Sequence, residues 1–235
     1  MAELAGVIDI MVSLDAGEIR LPCTRDDQWS MEGAQTSAQT DHSMSIPALI
    51  LALVASLLKP LAVESSSMAP TILVGDSVSI VAYAAGTIPG RGDVVALTSP
   101  KSGTSAPFLK RVVGLPGDRI QMRDGQLWIN GQPVKQEKMQ DFVGERLCGV
   151  PGVAPVKQWH ETLPNGVSYQ TLDCQPQSAL DNDNVHTVAA GALFVIGDNR
   201  DNSVDSRMPM QMGDVPFGNI IGRVERVIPG PASRK

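Results

Sequence analysis

The pattern of apolar and polar residues divides the chain near residue 64. Before that point, residues 46–58 are apolar at all but one position, and with Lys59 included the run continues to Val63 and reaches 18 residues. A run of this length can just span a bilayer if the lysine extends towards the lipid headgroups, although a helix buried in a protein core has the same pattern. The run therefore predicts one helix over residues 45–63, either a membrane anchor or a buried helix.

From Ser65 onward the apolar runs are short, and Gly, Pro, Asn or Asp residues bound each of them. Asp76–Ala82 alternates between polar and apolar positions, which is typical of a strand with one buried face. The pair Asn130-Gly131 is a strong signal for a tight β-hairpin. Together these patterns predict a mainly β body. The other predicted strands are Asp93–Leu97, Phe108–Val113, Gln126–Ile129, Ala192–Ile196 and Ile220–Ile228.

Composition sets two further segments apart. Residues 1–44 hold eight acidic side chains against two arginines, whereas the rest of the chain balances 17 acidic with 17 basic side chains. The net charge of −6 therefore belongs to the N-terminal segment, which is predicted to be mostly disordered. Residues 132–190, here called the insert, are polar and predict a β-rich cap on the core. Met44 opens the apolar run and is a second candidate for the start of translation.

The charge distribution and the motifs exclude several classes of function. No part of the chain is basic enough to predict a nucleic acid partner. No P-loop, dinucleotide-binding fingerprint or zinc-binding spacing occurs, so neither a cofactor nor a metal is expected.

Three consecutive serines, Ser65, Ser66 and Ser67, lead into the turn sequence Met68-Ala-Pro-Thr71. A serine hydroxyl is a poor nucleophile unless a base takes its proton. A rigid proline-containing turn would hold such a hydroxyl in place, which makes Ser67 the candidate nucleophile. Taken alone, however, the three serines fit a serine-rich linker better than a catalytic site.

The candidate base is Lys110, which lies inside the otherwise apolar strand Phe108–Val113. Because side chains alternate between the two faces of a strand, Lys110 shares its face with Phe108 and Val112. Apolar neighbours disfavour the charged ammonium and lower the lysine pKa, so a neutral amine could accept the serine proton. Arg111 lies on the opposite face and is expected to extend its guanidinium into solvent.

A third block, Gly197–Arg207, is polar throughout and is here called the polar loop. It does not fit a calcium-binding loop, because Arg200 occupies the third position counted from Asp198. Its Asp and Asn side chains instead predict turns that bond their own backbone. All three histidines lie outside the three blocks, which makes a Ser-His-Asp triad unexpected and leaves His186 as the one reserve candidate.

These blocks, together with Arg91-Gly-Asp-Val-Val-Ala-Leu97, resemble the bacterial type I signal peptidases, which are membrane-bound serine proteases with a Ser-Lys dyad. The resemblance covers roughly residues 60–228. It implies a signal-peptidase-like antiparallel β-sheet core with an inserted β-rich cap, preceded by one N-terminal membrane helix. It also implies that Ser67 is the nucleophile, that Lys110 is the general base, and that Ser65 and the Ser67 amide form the oxyanion hole.

The same resemblance implies supporting roles around the dyad. Ser203 would hydrogen-bond the lysine, Asp205 and Arg207 would pair to hold the polar loop, and Gly197 would permit close backbone approach. The residues expected to line shallow substrate pockets are Met68, Ile72, Phe108 and Leu109.

The implied domains are an acidic segment (1–44), a membrane anchor (45–63), a catalytic core (64–131 and 191–230) and the cap (132–190). The implied substrates are secretory preproteins, cut after small residues at −1 and −3, as in Ala-x-Ala. The implied location is the inner membrane, in contact with lipid, with one membrane pass and the catalytic domain on the periplasmic side.

Two other functions stay open at this point. One is a specialised Ser-Lys peptidase, either a maturation enzyme of a conjugation or secretion system or a self-cleaving repressor. The other is a membrane-anchored β-module that binds peptides without cutting them. Cleavage of several unrelated preproteins would separate these alternatives from a general signal peptidase.

The chain has three cysteines, Cys23, Cys148 and Cys174. Cys148 and Cys174 share the insert, and a compartment outside the inner membrane would be oxidising, so a disulfide between them is predicted. Two separate thiols are the alternative.

Overall fold

The computed structural model describes residues 60–103, 106–145, 147–149, 152–175 and 177–231. Within these ranges the regular structure consists of β-strands and one short 3-10 helix, Phe217–Asn219, which confirms the mainly β prediction. The strands are β1 (Leu61–Ala62), β2 (Ser77–Val81), β3 (Val94–Leu97), β4 (Phe108–Gly114), β5 (Arg119–Arg123), β6 (Gln126–Ile129), β7 (Gln132–Pro133), β8 (Lys135–Lys138), β9 (Phe142–Glu145), β10 (Val153–Thr162), β11 (Ser168–Asp173), β12 (His186–Thr187), β13 (Ala192–Ile196), β14 (Val215–Pro216) and β15 (Ile220–Ile228).

A seven-stranded antiparallel sheet has the strand order β1-β2-β15-β3-β4-β13-β14. Its inner strands β3, β4 and β13 are buried along most of their length. Burial on both faces explains why β3 and β13 are continuous apolar runs and why β4 is apolar apart from Lys110 and Arg111. Strand β4 is hydrogen-bonded to β3 on one side and to β13 on the other, so any functional group on it has a fixed position.

Two smaller antiparallel sheets complete the described fold. One has the order β12-β5-β6-β7; the other has the order β11-β10-β8, with β9 paired to the first part of β10. The Asn130-Gly131 turn joins β6 to β7, with φ angles of 54° and 79°. Positive φ at both positions is what a type I′ hairpin turn requires, so the predicted hairpin is confirmed.

The predicted helix over residues 45–63 falls largely outside the described residues. Its last part is described, and there Leu61–Ala62 forms strand β1, paired antiparallel with β2. This part of the segment is therefore extended rather than helical. In the ranges that the structure describes, no helix is long and apolar enough to cross a bilayer.

The predicted disulfide between Cys148 and Cys174 is confirmed, with the two Cα atoms 5.5 Å apart. It links the segment after β9 to the residue that follows β11. The two cysteines are separated by 26 residues, and closing a loop of that size stabilises a fold by roughly 3 kcal/mol in the chain-entropy model. Cys23 lies outside the described residues.

Candidate active site

The candidate nucleophile Ser67 begins a tight turn that is anchored by apolar side chains. The amide of Ile72 donates to the carbonyl of Met68 at 2.9 Å. Both side chains are buried, and they pack in one cluster with Ala96 of β3 and Leu109 of β4. The sequence thus fixes the turn against the central sheet, and Ser67 itself is only 7% exposed.

Lys110 extends from the middle of the sheet to the turn that begins at Ser67, here called the nucleophile turn. Its Nζ donates to Ser67 Oγ at 2.9 Å and to the carbonyl of Leu109 at 3.0 Å. A separation of 2.9 Å is within the range needed for direct proton transfer between a nucleophile and its base. The structure therefore brings together the two residues predicted to form the dyad, which are 43 positions apart in the sequence.

Burial is the main influence on the protonation of Lys110. The residue is 2% exposed, and this desolvation lowers its pKa from 10.5 to about 8. The carboxylates of Asp205 and Asp198 oppose the change, and the nearby guanidinium of Arg207 adds to it. A lysine with a pKa near 8 has a substantial neutral fraction at mildly alkaline pH, so Lys110 can act as a general base.

Ser65 lies at the exposed side of the nucleophile turn. Its Oγ accepts a hydrogen bond from the backbone N–H of Ser67 at 3.2 Å. The two donors expected to form an oxyanion hole are thus adjacent to each other and to the nucleophile. Donors at such a site stabilise the negative charge that develops on a tetrahedral intermediate.

The polar loop packs behind the dyad, and the ion pair between Asp205 and Arg207 lies within it. Arg207 Nη2 lies 2.8 Å from Asp205 Oδ2, and that carboxylate also accepts the amide of Gly197 at 3.0 Å. Burial alone would raise the pKa of Asp205, but the Arg207 guanidinium holds it below its usual value. A Cβ on Gly197 would lie 2.6 Å from the carbonyl of Ser67 and closer still to the side chain of Ser203, so only glycine fits.

A groove of about 740 Å³ runs past the Ser67 hydroxyl and is mainly apolar. Two extended segments form its sides: Leu61–Ser65, which includes β1, and Ala106–Lys110, which enters β4. Residues of the polar loop, Leu180 of the insert, Met68 and Met208 also line it. A groove between two extended segments can accept a peptide in extended conformation.

Comparison with known proteins decides the family. The sequence model for the family described as signal peptidase, peptidase S26, matches residues 40–228. This chain belongs to the signal peptidase family. It is therefore a serine endopeptidase that removes signal peptides.

Individual relatives of this chain are also named signal peptidase I. The chain is 32% identical to the signal peptidase I of Rickettsia typhi over 196 residues, which cover 72% of this chain and 71% of the relative. It is 31% identical to the signal peptidase I of Rickettsia canadensis over 219 residues, covering 81% and 79%. A solved signal peptidase I from Enterococcus faecalis V583 is 24% identical, with a TM-score of 0.34 over 59% of this chain and 97% of that chain.

One expected contact within this signal peptidase site is not formed. The Oγ of Ser203 is buried and has no hydrogen-bond partner in the described part of the chain, so the expected bond from Lys110 is absent. The lysine donates instead to Ser67 and to the Leu109 carbonyl. Ser203 does line the groove, next to the dyad.

The expectation that Arg111 extends into solvent is wrong. Its guanidinium is buried, donates to both oxygens of Asp198 at 2.8 and 2.7 Å, and lies 4.1 Å over the ring of Tyr169. The reason is that β4 is buried on both faces, and Tyr169 of β11 packs against the guanidinium. Burial disfavours the charged guanidinium, but Asp198 outweighs this effect and raises the pKa of Arg111.

Three of the four predicted pocket residues line the groove. Met68, Phe108 and Leu109 do so, whereas Ile72 does not. The side chain of Ile72 points into the apolar cluster under the nucleophile turn, where it anchors the turn. Its predicted contact with substrate stays a prediction.

Sequence reasoning missed Asp198 as the partner of a buried charge. It had assigned the acidic side chains of the polar loop to local turns. The sequence nonetheless indicated a buried charge, since Lys110 and Arg111 are two cationic residues in one otherwise apolar strand. A permanently charged guanidinium in such a strand requires a buried counter-charge, and Asp198 lies two residues after the apolar strand β13.

Proposed function

We propose that Ser67 and Lys110 carry out signal peptide removal as a Ser-Lys dyad, through an acyl-enzyme intermediate. The observation that supports this most strongly is the 2.9 Å hydrogen bond between Lys110 Nζ and Ser67 Oγ, together with the burial of the lysine. A charged, solvated lysine could not serve as the base, because its ordinary pKa of about 10.4 keeps it protonated at neutral pH.

The reaction then follows from the positions of these groups. Neutral Lys110 takes the proton of Ser67 as its oxygen attacks the scissile carbonyl carbon, and the oxyanion is stabilised by the Ser67 N–H and the Ser65 hydroxyl. The lysine ammonium gives its proton to the departing amine as the peptide bond breaks. Lys110 next deprotonates a water molecule that attacks the acyl ester, and the returning proton restores the serine hydroxyl.

The substrate is proposed to bind as an added strand between Leu61–Ser65 and Ala106–Lys110. The shallow apolar surface of Met68, Phe108 and Leu109 suits small side chains at the −1 and −3 positions, as in Ala-x-Ala. Larger side chains at these positions would have to displace well-packed core residues, which is costly.

The enzyme is proposed to be anchored in the inner membrane by the apolar run of residues 46–58, with the catalytic domain on the periplasmic side. Leu61 and Ala62 follow this run after two residues and also line the groove, so an anchor would keep the groove close to membrane-held preproteins. The disulfide between Cys148 and Cys174 agrees with an oxidising compartment.

The domain division is proposed as a catalytic core of residues 64–131 and 191–230 and a cap of residues 132–190. Strands β8 to β11 all fall within the cap range and pair with one another, which supports this division. The strands of the seven-stranded sheet from β2 onward fall within the core ranges.

The test of this function is cleavage of several unrelated preproteins by detergent-solubilised enzyme, with the new N-termini sequenced. Cuts after small residues in most of them support a general signal peptidase. Processing of a single preprotein would instead favour a specialised maturation peptidase. Binding without cleavage would favour a peptide-binding module.

Ser65→Ala should lower kcat by on the order of 10²–10³-fold if the hydroxyl donates to the oxyanion. KM should change little, because the donor acts on charge that appears in the transition state. Steady-state kinetics on one preprotein measure this, with Ser168→Ala as a matched control that removes another exposed serine hydroxyl, on β11. Equal kcat values for the two variants would assign the oxyanion hole to a different donor.

A further inference from the structure

Two asparagine side chains of the polar loop join the nucleophile turn to the insert. The Nδ2 of Asn202 donates to Ser66 Oγ at 2.7 Å and to the carbonyl of Leu147 at 3.1 Å. The Nδ2 of Asn199 donates to the Ser66 carbonyl at 3.2 Å and to the same Leu147 carbonyl. An amide group has two N–H donors and a carbonyl oxygen has two lone pairs, so both amide groups and the Leu147 carbonyl are fully used. Ser66 is the residue immediately before Ser67 in the chain, joined to it by a peptide bond.

The acceptor carbonyl of Leu147 belongs to the peptide unit that enters Cys148, and Cys148 is bonded to Cys174. The other end of this bridge is held by the polar loop as well. Asp201 Oδ2 accepts the backbone N–H groups of Cys174 at 2.8 Å and Gln175 at 2.9 Å. The disulfide therefore fixes the distance between two chain segments that both contact the polar loop.

Apolar packing connects the same parts. Ala69 of the nucleophile turn is fully buried, in one cluster with Leu147 and Leu172, and both cysteines pack against this cluster. The turn that carries Ser67 is thus supported from the insert by a disulfide-bonded apolar contact as well as by the two asparagines.

We propose that the disulfide-bonded segment Leu147–Cys148 positions the nucleophile Ser67, and that it acts through Asn202 and Ser66. The inference rests on the proposed function, since it takes Ser67 as the reacting group. Asn202 is a positioning residue in this account, because its amide bonds the neighbour of the nucleophile. No new chemistry is required of it.

The physical reason is that reduction of the disulfide removes the covalent link between Cys148 and Cys174 and leaves only non-covalent contacts. Leu147 would then be tied to the polar loop by hydrogen bonds alone, and such bonds have a small net free energy because water competes for both partners. The two amide donors that bond Ser66, those of Asn199 and Asn202, would then no longer be held in fixed positions. A displacement of about 1 Å from the reactive geometry can cost about 10²-fold in rate, so even a small shift of Ser67 is measurable.

The test compares oxidised enzyme with enzyme reduced by dithiothreitol, in wild type and in Asn202→Ala. Dithiothreitol supplies two electrons and two protons, so the disulfide becomes two thiols while the reagent closes to its cyclic disulfide. In wild type, reduction should lower kcat by about tenfold with KM within about twofold. Oxidised Asn202→Ala should have a similarly lowered kcat, and its reduction should change kcat by less than about twofold, because coupled groups are not additive.

Three controls accompany this comparison. The double variant Cys148→Ala/Cys174→Ala should match reduced wild type and should not respond to dithiothreitol. Asn165→Ala removes an equivalent amide, one that bonds the carbonyl of Arg91 in another part of the fold, and should keep the wild-type kcat and redox response. Circular dichroism checks that every species is folded at the assay temperature.

An unchanged wild-type kcat after reduction would overturn the positioning role of the disulfide. An equal loss in wild type and in Asn202→Ala would overturn the route through Asn202, and a loss of folded signal on reduction would make the bridge a support of the fold alone. These failures leave oxidised wild type active and dependent on Ser67. Failure of the proposed function is distinguishable, because oxidised Ser67→Ala would then remain active.

Discussion

Ser67→Ala should reduce kcat by on the order of 10⁵-fold or more, since removing the nucleophile of a serine protease leaves only binding and electrostatic contributions. The fold should persist, because Met68 and Ile72 anchor the turn through apolar contacts that the substitution does not touch. The measurement is single-turnover cleavage of a preprotein at high enzyme concentration, with melting temperature as the check on folding.

The outcome that would contradict the assignment of Ser67 is residual activity within tenfold of wild type. The neighbouring hydroxyls of Ser65 and Ser66 would not account for such activity, because each of them has another hydrogen-bond partner. The Oγ of Ser65 accepts the Ser67 amide, and the Oγ of Ser66 accepts from Asn202.

Lys110→Arg should be inactive at every pH below about 11, because a guanidinium with a pKa above 12 does not accept a proton in this range. Lys110→Met should be equally inactive, which separates the loss of the base from the introduction of a permanent charge. In both variants kcat should fall by at least about 10⁴-fold, the size of effect seen when a dyad or triad loses its base.

Lys101→Arg is the matched control for these variants. It makes the same substitution at an exposed lysine, whose Nζ bonds the carbonyl of Pro209 outside the groove. It should retain wild-type kcat and KM. An active Lys110→Arg enzyme would remove the lysine from the mechanism.

The strands could be predicted from the sequence because they depend on local pattern, whereas the pairing of Ser67 with Lys110 was expected from the resemblance to a known family. Strand β4 is apolar apart from Lys110 and Arg111, and burial of the strand follows from its apolar residues. The alternation of side chains between the two faces of a strand led to the wrong expectation that Arg111 extends into solvent, because both faces of β4 are buried. Its partner, Asp198, lies 87 positions away, and no local pattern could have paired the two.

The parts of the site that come from the insert could not be predicted in the same way. The Asn202 amide that bonds Ser66 also bonds the backbone carbonyl of Leu147, and any residue type at position 147 could supply that carbonyl. Its position depends on where the insert folds back onto the polar loop. The disulfide between Cys148 and Cys174 was predictable only as one of two alternatives, because spacing in the sequence does not determine distance in space.

The pH dependence of kcat/KM for wild-type enzyme tests whether a neutral, buried Lys110 is the general base. Burial lowers the pKa of Lys110 to about 8, and the amine can accept a proton only when it is deprotonated. We therefore expect kcat/KM to rise with pH through a single limb with a midpoint near 8 and then to level off, because this parameter reports ionisation in the free enzyme. A profile with its limb near 6.5, the ordinary value for histidine, or with no limb below about 10, would contradict it.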